Sequence, residues 1–176
     1  RLTINPNIVT AGANTVLTAN VTGINQTGSV TFTDGTNSTV LGTANLVGTG
    51  NSKNAVLSVA IPNTTTKSII ATYSGDANNN ASSSSASAIT VNKASALASI
   101  TTNTLTAALR QVVSFTASIT GVNPTGSVDF TNASNQVLGS VLLSGTANLK
   151  TAVFSTSFNS IGNQVIKAVY KGDTKI

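Results

Sequence analysis

The sequence lacks most of the residue types that carry chemistry in proteins. Its 176 residues include no Cys, His, Trp, Met or Glu, which excludes thiolate nucleophiles, imidazole bases and thiolate or imidazole metal sites. The only acidic residues are Asp34, Asp76, Asp129 and Asp173. Asp34 precedes a glycine in a hairpin-type turn, whereas Asp76 and Asp173 follow glycines where a strand is expected to end. The chain is therefore predicted not to be an enzyme, and no catalytic, cofactor-binding or metal-binding residue is assigned.

Charge is also sparse. Charged residues make up 7% of the chain, far below the roughly 25% that is usual for globular proteins. Nine basic against four acidic residues give a net charge of +5, which can indicate nucleic acid or another acidic partner. However, the basic residues form no dense run, and aromatic residues, at 4%, are too few for base stacking. The low total number of charges explains the surplus better, so no nucleic-acid partner is expected.

Long apolar runs are absent as well. No stretch approaches the roughly 18 consecutive apolar residues that a transmembrane helix needs, so no membrane span is expected in this segment. Hydrophobic residues nevertheless make up 40% of the chain, and disorder would require low hydrophobicity combined with high net charge. The chain should therefore fold. Sparse charge together with abundant Ser, Thr, Asn and Gly is typical of an extracellular, cell-surface protein.

The most informative feature that is present is an internal repeat. The segment TGSVTFTDG at 27–35 returns as TGSVDFTNA at 125–133, and ATYSGD at 71–76 returns as AVYKGD at 168–173. The step between the copies is 98 residues before Thr39 and 97 residues after it, so a single deletion aligns them. A period of this length corresponds to a whole small domain, not to one unit of a solenoid.

Both copies alternate apolar and polar residues with the period of two that marks β-strands. Leu17 and Ala19 correspond to Phe115 and Ala117, and their polar neighbours correspond to polar neighbours. No segment shows a helical period. The sequence therefore predicts an all-β fold of two tandem β-sandwiches with about seven strands each, in which each sheet buries its apolar face against the other.

The two domains are predicted to meet at a short connection. Residues 82–85 have the composition of a linker, but Ile89 and Val91 alternate with polar residues and predict the last strand of the first copy. The expected domains are therefore 1–93 and 94–176. A connection of only a few residues restricts hinge motion and favours an extended pair of domains.

The repeated segments resemble the bacterial immunoglobulin-like domain repeats of large secreted and surface-anchored proteins. The resemblance covers nearly the whole chain, once in each copy. It rests on a strand, a Val-Leu-Gly segment and a YSGD segment at the end of a late strand. These are residues 28–32, 40–42 and 73–76, and then 126–130, 137–139 and 170–173 with Lys171 in place of Ser74. The resemblance implies two Ig-like sandwiches. It also implies a place in adhesins, stalks, surface-layer or sheath proteins, filaments or phage particles, among which fold alone does not choose.

The second copy lacks a counterpart of residues 80–91, which include the last predicted strand of the first copy. Two explanations are open. Either the chain is a window of a longer array, cut out of phase with its domain boundaries, or another subunit donates an extended strand to the open edge of the second copy.

Three features are candidates for a site. Tyr73 and Tyr170 are interpreted as core or corner tyrosines whose hydroxyls anchor a neighbouring loop. A strong calcium site is not expected, because the chain has no acidic residue between Asp76 and Asp129. A Lys–Asn cross-link is not expected at Lys167, which has no evident acidic partner.

The leading functional hypothesis is a structural or adhesive repeat segment of a prokaryotic extracellular surface protein, such as a stalk, filament, sheath or surface layer. Its expected partners are neighbouring Ig-like domains of the same array or copies of itself. The second hypothesis is a ligand-binding adhesin module that contacts a cell-surface ligand or glycan through its loops. Loops 48–54 and 145–151 differ between the copies, which disfavours a shared pocket. A phage virion decoration domain is a third hypothesis.

Overall fold

The computed structural model describes residues 1–62, 64 and 66–176. These residues divide into two compact units, Arg1–Lys93 (unit 1) and Ala94–Ile176 (unit 2). Every regular element in the described residues is a β-strand, so the prediction of an all-β fold is confirmed.

Unit 1 is a sandwich of two sheets. Its strands are β1 (Leu2–Asn5), β2 (Ile8–Thr10), β3 (Asn14–Thr22), β4 (Ser29–Asp34), β5 (Thr39–Asn45), β6 (Ser52–Ala60), β7 (Lys67–Tyr73), β8 (Ser82–Ser83) and β9 (Ser87–Asn92). One sheet has the order β1-β3-β6, and the other has the order β2-β9-β7-β4-β5 with β8 added to β7. All pairs are antiparallel except β2 with β9, which run parallel.

Unit 2 repeats this arrangement with fewer strands. They are β10 (Leu97–Thr102), β11 (Val112–Thr120), β12 (Ser127–Thr131), β13 (Val137–Leu142), β14 (Leu149–Ser157) and β15 (Lys167–Tyr170). One sheet has the order β10-β11-β14, which corresponds to β1-β3-β6, and the other has the order β13-β12-β15. Thr33 pairs with Val40 in unit 1 and Thr131 pairs with Val137 in unit 2, so the segment between corresponding pairs is one residue shorter in unit 2, as the deletion near Thr39 predicts.

The number of strands differs from the predicted seven per copy. Within the described residues, unit 1 has nine strands and unit 2 has six. In unit 1, Pro6 lies between β1 and β2 and has no amide hydrogen to donate to a ladder, so the edge is divided into two strands. The two-residue β8 adds another. In unit 2, the strands β2, β8 and β9 have no counterpart among the described strands.

The alternation in the sequence places the core. In unit 1, side chains of one parity, such as Leu17, Phe32 and Ile69, are fully buried between the sheets. The core of unit 2 is built around Phe130 and Ile119. Several of its large side chains are only partly buried, namely Phe115, Phe154, Ile166 and Tyr170.

Two matching glycines set how closely the sheets approach. A Cβ at Gly42 would lie 2.8 Å from Cδ2 of Leu57, and a Cβ at Gly139 would lie 2.5 Å from Cε2 of Phe154. Real Cβ contacts are essentially never shorter than 3.0 Å. The Val-Leu-Gly segment therefore repeats because each glycine leaves room for a side chain of the opposite sheet.

Candidate functional site

The aspartates that follow the late strands act as structural acceptors. In unit 1, the Asp76 carboxylate accepts hydrogen bonds from the amide of Thr27 (2.6 Å), the Thr27 hydroxyl and the amides of Asn78 and Asn79. In unit 2, Asp173 accepts from the amide (2.8 Å) and hydroxyl of Thr125 and from two amides of its own turn. Each carboxylate thus joins the turn after one strand to the loop that precedes its neighbour in the sheet, which is β4 in unit 1 and β12 in unit 2.

These contacts stabilise the ionised carboxylates. The amide of Thr27 is the main cause that lowers the pKa of Asp76. Burial would raise the pKa of Asp173, but hydrogen bonds from Thr125 and from the amides of its turn lower it to about 2. A carboxylate whose lone pairs are engaged by several donors is a poor general base and a poor metal ligand. The geometry therefore favours a structural role for both residues.

A tyrosine reinforces the same connection in each unit. The Tyr73 hydroxyl donates to the carbonyl of Thr27 (2.8 Å), and the Tyr170 hydroxyl donates to the carbonyl of Thr125 (3.0 Å). The interpretation of both as loop-anchoring tyrosines is confirmed. Burial is the main cause that raises the pKa of both phenols. We call this arrangement of aspartate, tyrosine and threonine the Asp–Tyr–Thr clamp.

Unit 1 contains a buried ion pair that the sequence interpretation missed. Nζ of Lys67 lies 2.7 Å from Oδ2 of Asp34, and the two side chains are 10% and 1% exposed. Thr36 donates to the other carboxylate oxygen through its amide and hydroxyl. Burial alone would raise the pKa of Asp34, but the bonds from Lys67 and Thr36 outweigh it and hold the pKa below its ordinary value.

A signal for this pair was present in the sequence. Asp34 has the same strand parity as Phe32, and Lys67 has the same parity as Ile69, so both side chains point toward the core. The inward parity of the two charges indicates that each needs a partner, because an isolated buried charge is too costly, but it does not identify that partner.

The same position in unit 2 is neutral. Asn132 and Gln164 correspond to Asp34 and Lys67, and Asn132 accepts hydrogen bonds from backbone amides within its own turn. Lys167 donates to Asn135 (3.0 Å) and to a backbone carbonyl, and both contacts are exposed to solvent. An ion pair in unit 2 joins Lys171, whose side chain is 77% exposed, to Asp129, whose side chain is 14% exposed.

Unit 2 also contains an open cleft of about 550 Å³ at one end of the sandwich. Side chains from segments 102–115 and 158–165 line it, and we call it the open cleft. Its walls combine polar and apolar side chains, and they include Leu105, which is 95% exposed, and Ile161, which is 91% exposed. At its base, the rings of Phe115 and Phe158 meet edge to face with centroids 6.4 Å apart.

Neither metal-site geometry nor a membrane-spanning helix is found in the part of the chain that the structure describes. Across residues 1–62, 64 and 66–176, no three residues of the types His, Cys, Asp and Glu lie close enough to hold a metal ion. No helix in the same residues is long and apolar enough to cross a bilayer.

Comparison with known proteins identifies the family. A family model described as Bacterial Ig-like domain (group 3) matches residues 2–92 and 100–176. Among solved structures, the chain is similar to one titled "Structures of Clostridium thermocellum CbhA fibronectin(III)-like modules", with 17% identity and a TM-score of 0.35 over 99% of this chain and 87% of that chain. No curated protein matches the sequence. The two family matches confirm the resemblance and the tandem arrangement, and the chain therefore belongs to the bacterial Ig-like domain (group 3) family.

Proposed function

We propose that the chain is a structural segment of an extracellular bacterial surface protein, such as a stalk, filament, sheath or surface layer, and that it acts without catalysis. The observation that carries this proposal is the Asp–Tyr–Thr clamp, which occurs in both units with the same partners. Asp76 and Asp173, together with the two tyrosines, serve to hold loops onto sheets. Asp34 and Asp129 are engaged in ion pairs, so all four acidic residues have structural partners.

The outer surfaces support the same proposal. Neutral side chains pair across the strands, as in Thr31 with Thr43 (3.2 Å) and Ser114 with Ser155 (2.8 Å). Such pairs stabilise a sheet at any salt concentration because they carry no charge to be screened. A surface of this kind suits an extracellular protein that must keep its shape in a variable ionic medium.

The expected partners are neighbouring Ig-like domains of the same array or copies of the chain. The loops at 48–54 and 145–151 differ in sequence but form the same isolated bridges, Val47 with Asn54 and Ser144 with Thr151. A domain that acts as a spacer needs to keep only its backbone shape. Loops with the same backbone bridge and different side chains fit this role. A shared ligand pocket would instead require the same side chains.

Labelling intact source cells with an antibody against this chain tests the location. We expect signal on intact cells, and we expect its removal by an external protease that leaves a cytoplasmic marker untouched. Signal that appears only after lysis would contradict the proposal. Signal confined to virus particles in the culture would favour the phage decoration hypothesis, and saturable binding of the pure chain to one glycan or host cell type would favour the adhesin hypothesis.

A further inference from the structure

The chain contains six sequons of the form Asn-X-Ser/Thr, the acceptor pattern for N-glycosylation. Five lie in the described residues and begin at Asn20, Asn25, Asn37, Asn80 and Asn132, and the sixth, at Asn63, lies outside them. A transferase that modifies a folded protein must reach both the side-chain amide of the asparagine and the hydroxyl two residues later. The structure separates the five sequons by what these two groups contact.

Two of the sequons have their side-chain amide engaged in the fold. Asn20 lies in β3, and its Nδ2 donates to the Ser52 hydroxyl (3.0 Å) and to Oδ1 of Asn54 (2.9 Å) on the neighbouring strand. Asn132 begins the turn after β12, and its Nδ2 donates to Oε1 of Gln136 (3.1 Å) while its Oδ1 accepts from two backbone amides. Modification of either amide would break these bonds, so both residues have a structural role.

Two further sequons lack an available hydroxyl or a turn. In the Asn25 sequon, the Thr27 hydroxyl donates to Asp76 as part of the Asp–Tyr–Thr clamp. The Asn80 sequon is exposed, but it leads into β8, where Ser82 pairs with β7. Side chains two residues apart in an extended segment are separated by about 7 Å. Nothing in this part of the structure therefore holds the Asn80 amide close to the Ser82 hydroxyl.

The sequon at Asn37 differs from the other four. It lies at the tip of the hairpin between β4 and β5, where all residues from 35 to 40 are exposed. The amide of Thr39 donates to Oδ1 of Asn37 (3.1 Å), which closes an Asx turn around Ser38, whose φ is +59°. This turn brings the Asn37 side-chain amide beside Thr39. In the described residues, neither Nδ2 of Asn37 nor the Thr39 hydroxyl has a hydrogen-bond partner.

We propose that Asn37 is a modification site that carries an N-linked glycan. The donor is a sugar whose anomeric carbon is held by a diphosphate group, which is attached either to a lipid or to a nucleoside. Nδ2 of Asn37 attacks the anomeric carbon and forms the N–C bond. The bond from that carbon to the diphosphate oxygen breaks, the diphosphate leaves with the electron pair, and Nδ2 gives one proton to a base of the transferase. Because the whole hairpin tip is exposed, the glycan displaces no packed side chain.

Peptide mapping of the protein from its source cells tests the proposal. Digestion with Asp-N endoprotease and trypsin releases peptide 34–53, whose single sequon is that of Asn37, and peptide 129–150, whose single sequon is that of Asn132. We expect mass spectrometry to find sugar on peptide 34–53 and none on peptide 129–150. Fragmentation by electron transfer should place the sugar on Asn37. One hexose would indicate a nucleotide-linked donor and a preassembled oligosaccharide a lipid-linked donor, and both results support the proposal.

Variants produced in the source organism provide matched controls. Asn37→Gln and Thr39→Val should each abolish the modification of peptide 34–53, whereas Thr39→Ser, which keeps the hydroxyl, should retain it. Asn132→Gln should leave it unchanged. Positions 37 and 39 are exposed, so these variants should keep the β-sheet spectrum in circular dichroism.

Three results would overturn the proposal. The first is a peptide 34–53 without added mass in protein from the source cells. The second is a sugar on this peptide that persists in Asn37→Gln, because it would be linked to a serine or threonine. The third is equal occupancy of Asn37 and Asn132, because availability of the amide in the folded chain would then not govern the transfer.

Discussion

Units 1 and 2 share a plan of strands but differ at one end. At the shared end, the Asp–Tyr–Thr clamp has the same partners in both units. At the other end, unit 1 is closed by β9, and Ile69 is fully buried, whereas the corresponding Ile166 in unit 2 is only partly buried. The comparison shows that alternation of apolar and polar residues specifies the sheets. Closure of the core in unit 1 depends in addition on β9, which is distant in sequence from the strands that it covers.

The ion pair of unit 1 follows from this closure. Lys67 is in register with Ile89 of β9, so the last strand covers it and removes it from water. A covered ammonium group needs a counter-ion, and Asp34 supplies it. In unit 2 the corresponding residues, Asn132 and Gln164, are neutral and need no such partner.

The largest expected effect comes from breaking this ion pair. Asp34→Asn leaves Lys67 charged and covered without its carboxylate, so the free energy of unfolding of unit 1 should fall by about 3–5 kcal/mol. Urea denaturation followed by hydrogen exchange measures each unit separately. The matched control is Asp129→Asn, which breaks the pair with Lys171, whose side chain is 77% exposed, and it should cost unit 2 about 0–1 kcal/mol because water can solvate the freed ammonium group. Equal losses in the two units would contradict the burial argument.

Replacing Gly42 or Gly139 with alanine tests how tightly the two sheets pack in each unit. Gly139→Ala would press on Phe154, whose ring stacks on Phe130 with centroids 5.1 Å apart and cannot easily move. We expect a loss of about 1–3 kcal/mol in unit 2. Gly42→Ala meets the flexible end of Leu57 and should cost unit 1 less. Thermal unfolding of the two variants measures this, and a greater loss for Gly42→Ala would refute the packing comparison.

Acid should lower the stability of the two units to different extents, because their carboxylates have different surroundings. The folded-state pKa values of Asp34, Asp76, Asp129 and Asp173 are lowered, so their stabilisation is complete above the unfolded pKa of about 3.9 and is lost as pH falls through the folded values. For Asp173 that loss extends from about pH 5 to about pH 2. Among the described residues, the ion pair that is buried on both sides is that of Lys67 and Asp34, so the stability of unit 1 should fall more steeply.

Hydrogen exchange at several pH values between 6 and 2 measures this difference. The Asp34→Asn variant is the control, since it should bring the pH dependence of unit 1 close to that of unit 2. A steeper fall in unit 2 of the unmodified chain would show that Asp129 contributes more than its pair with the exposed Lys171 indicates.

The smallest expected effect concerns the tyrosine hydroxyls. Tyr73→Phe removes a partly buried hydrogen bond to Thr27 and should cost unit 1 about 1 kcal/mol. Tyr170→Phe removes an exposed bond to Thr125, whose carbonyl water can then solvate, so unit 2 should lose about 0.5 kcal/mol or less. Urea midpoints of the two variants test the order, and its reversal would mean that the clamp is more important in the open unit.

Much of the fold could be predicted because its signals are local. Alternation identified the strand containing Leu17 and the last strand containing Ile89 and Val91, since inward and outward positions follow from the period of two. The anchoring role of Tyr73 was also predictable from its place at a strand end. The inward parity of Lys67 was visible in the sequence, but its pairing with Asp34 was not, because the strand that lies beside β7 is far from it in the sequence.

The sequence by itself determined two all-β domains, their family and the positions that face the core, because backbone geometry turns alternation directly into burial. Tertiary structure alone decided that Asp34 and Lys67 meet, that Gly42 and Gly139 leave room for opposing side chains, and that unit 2 retains an open cleft. The physical reason is that burial and pairing depend on which distant strand covers a given side chain, and local pattern does not specify that neighbour.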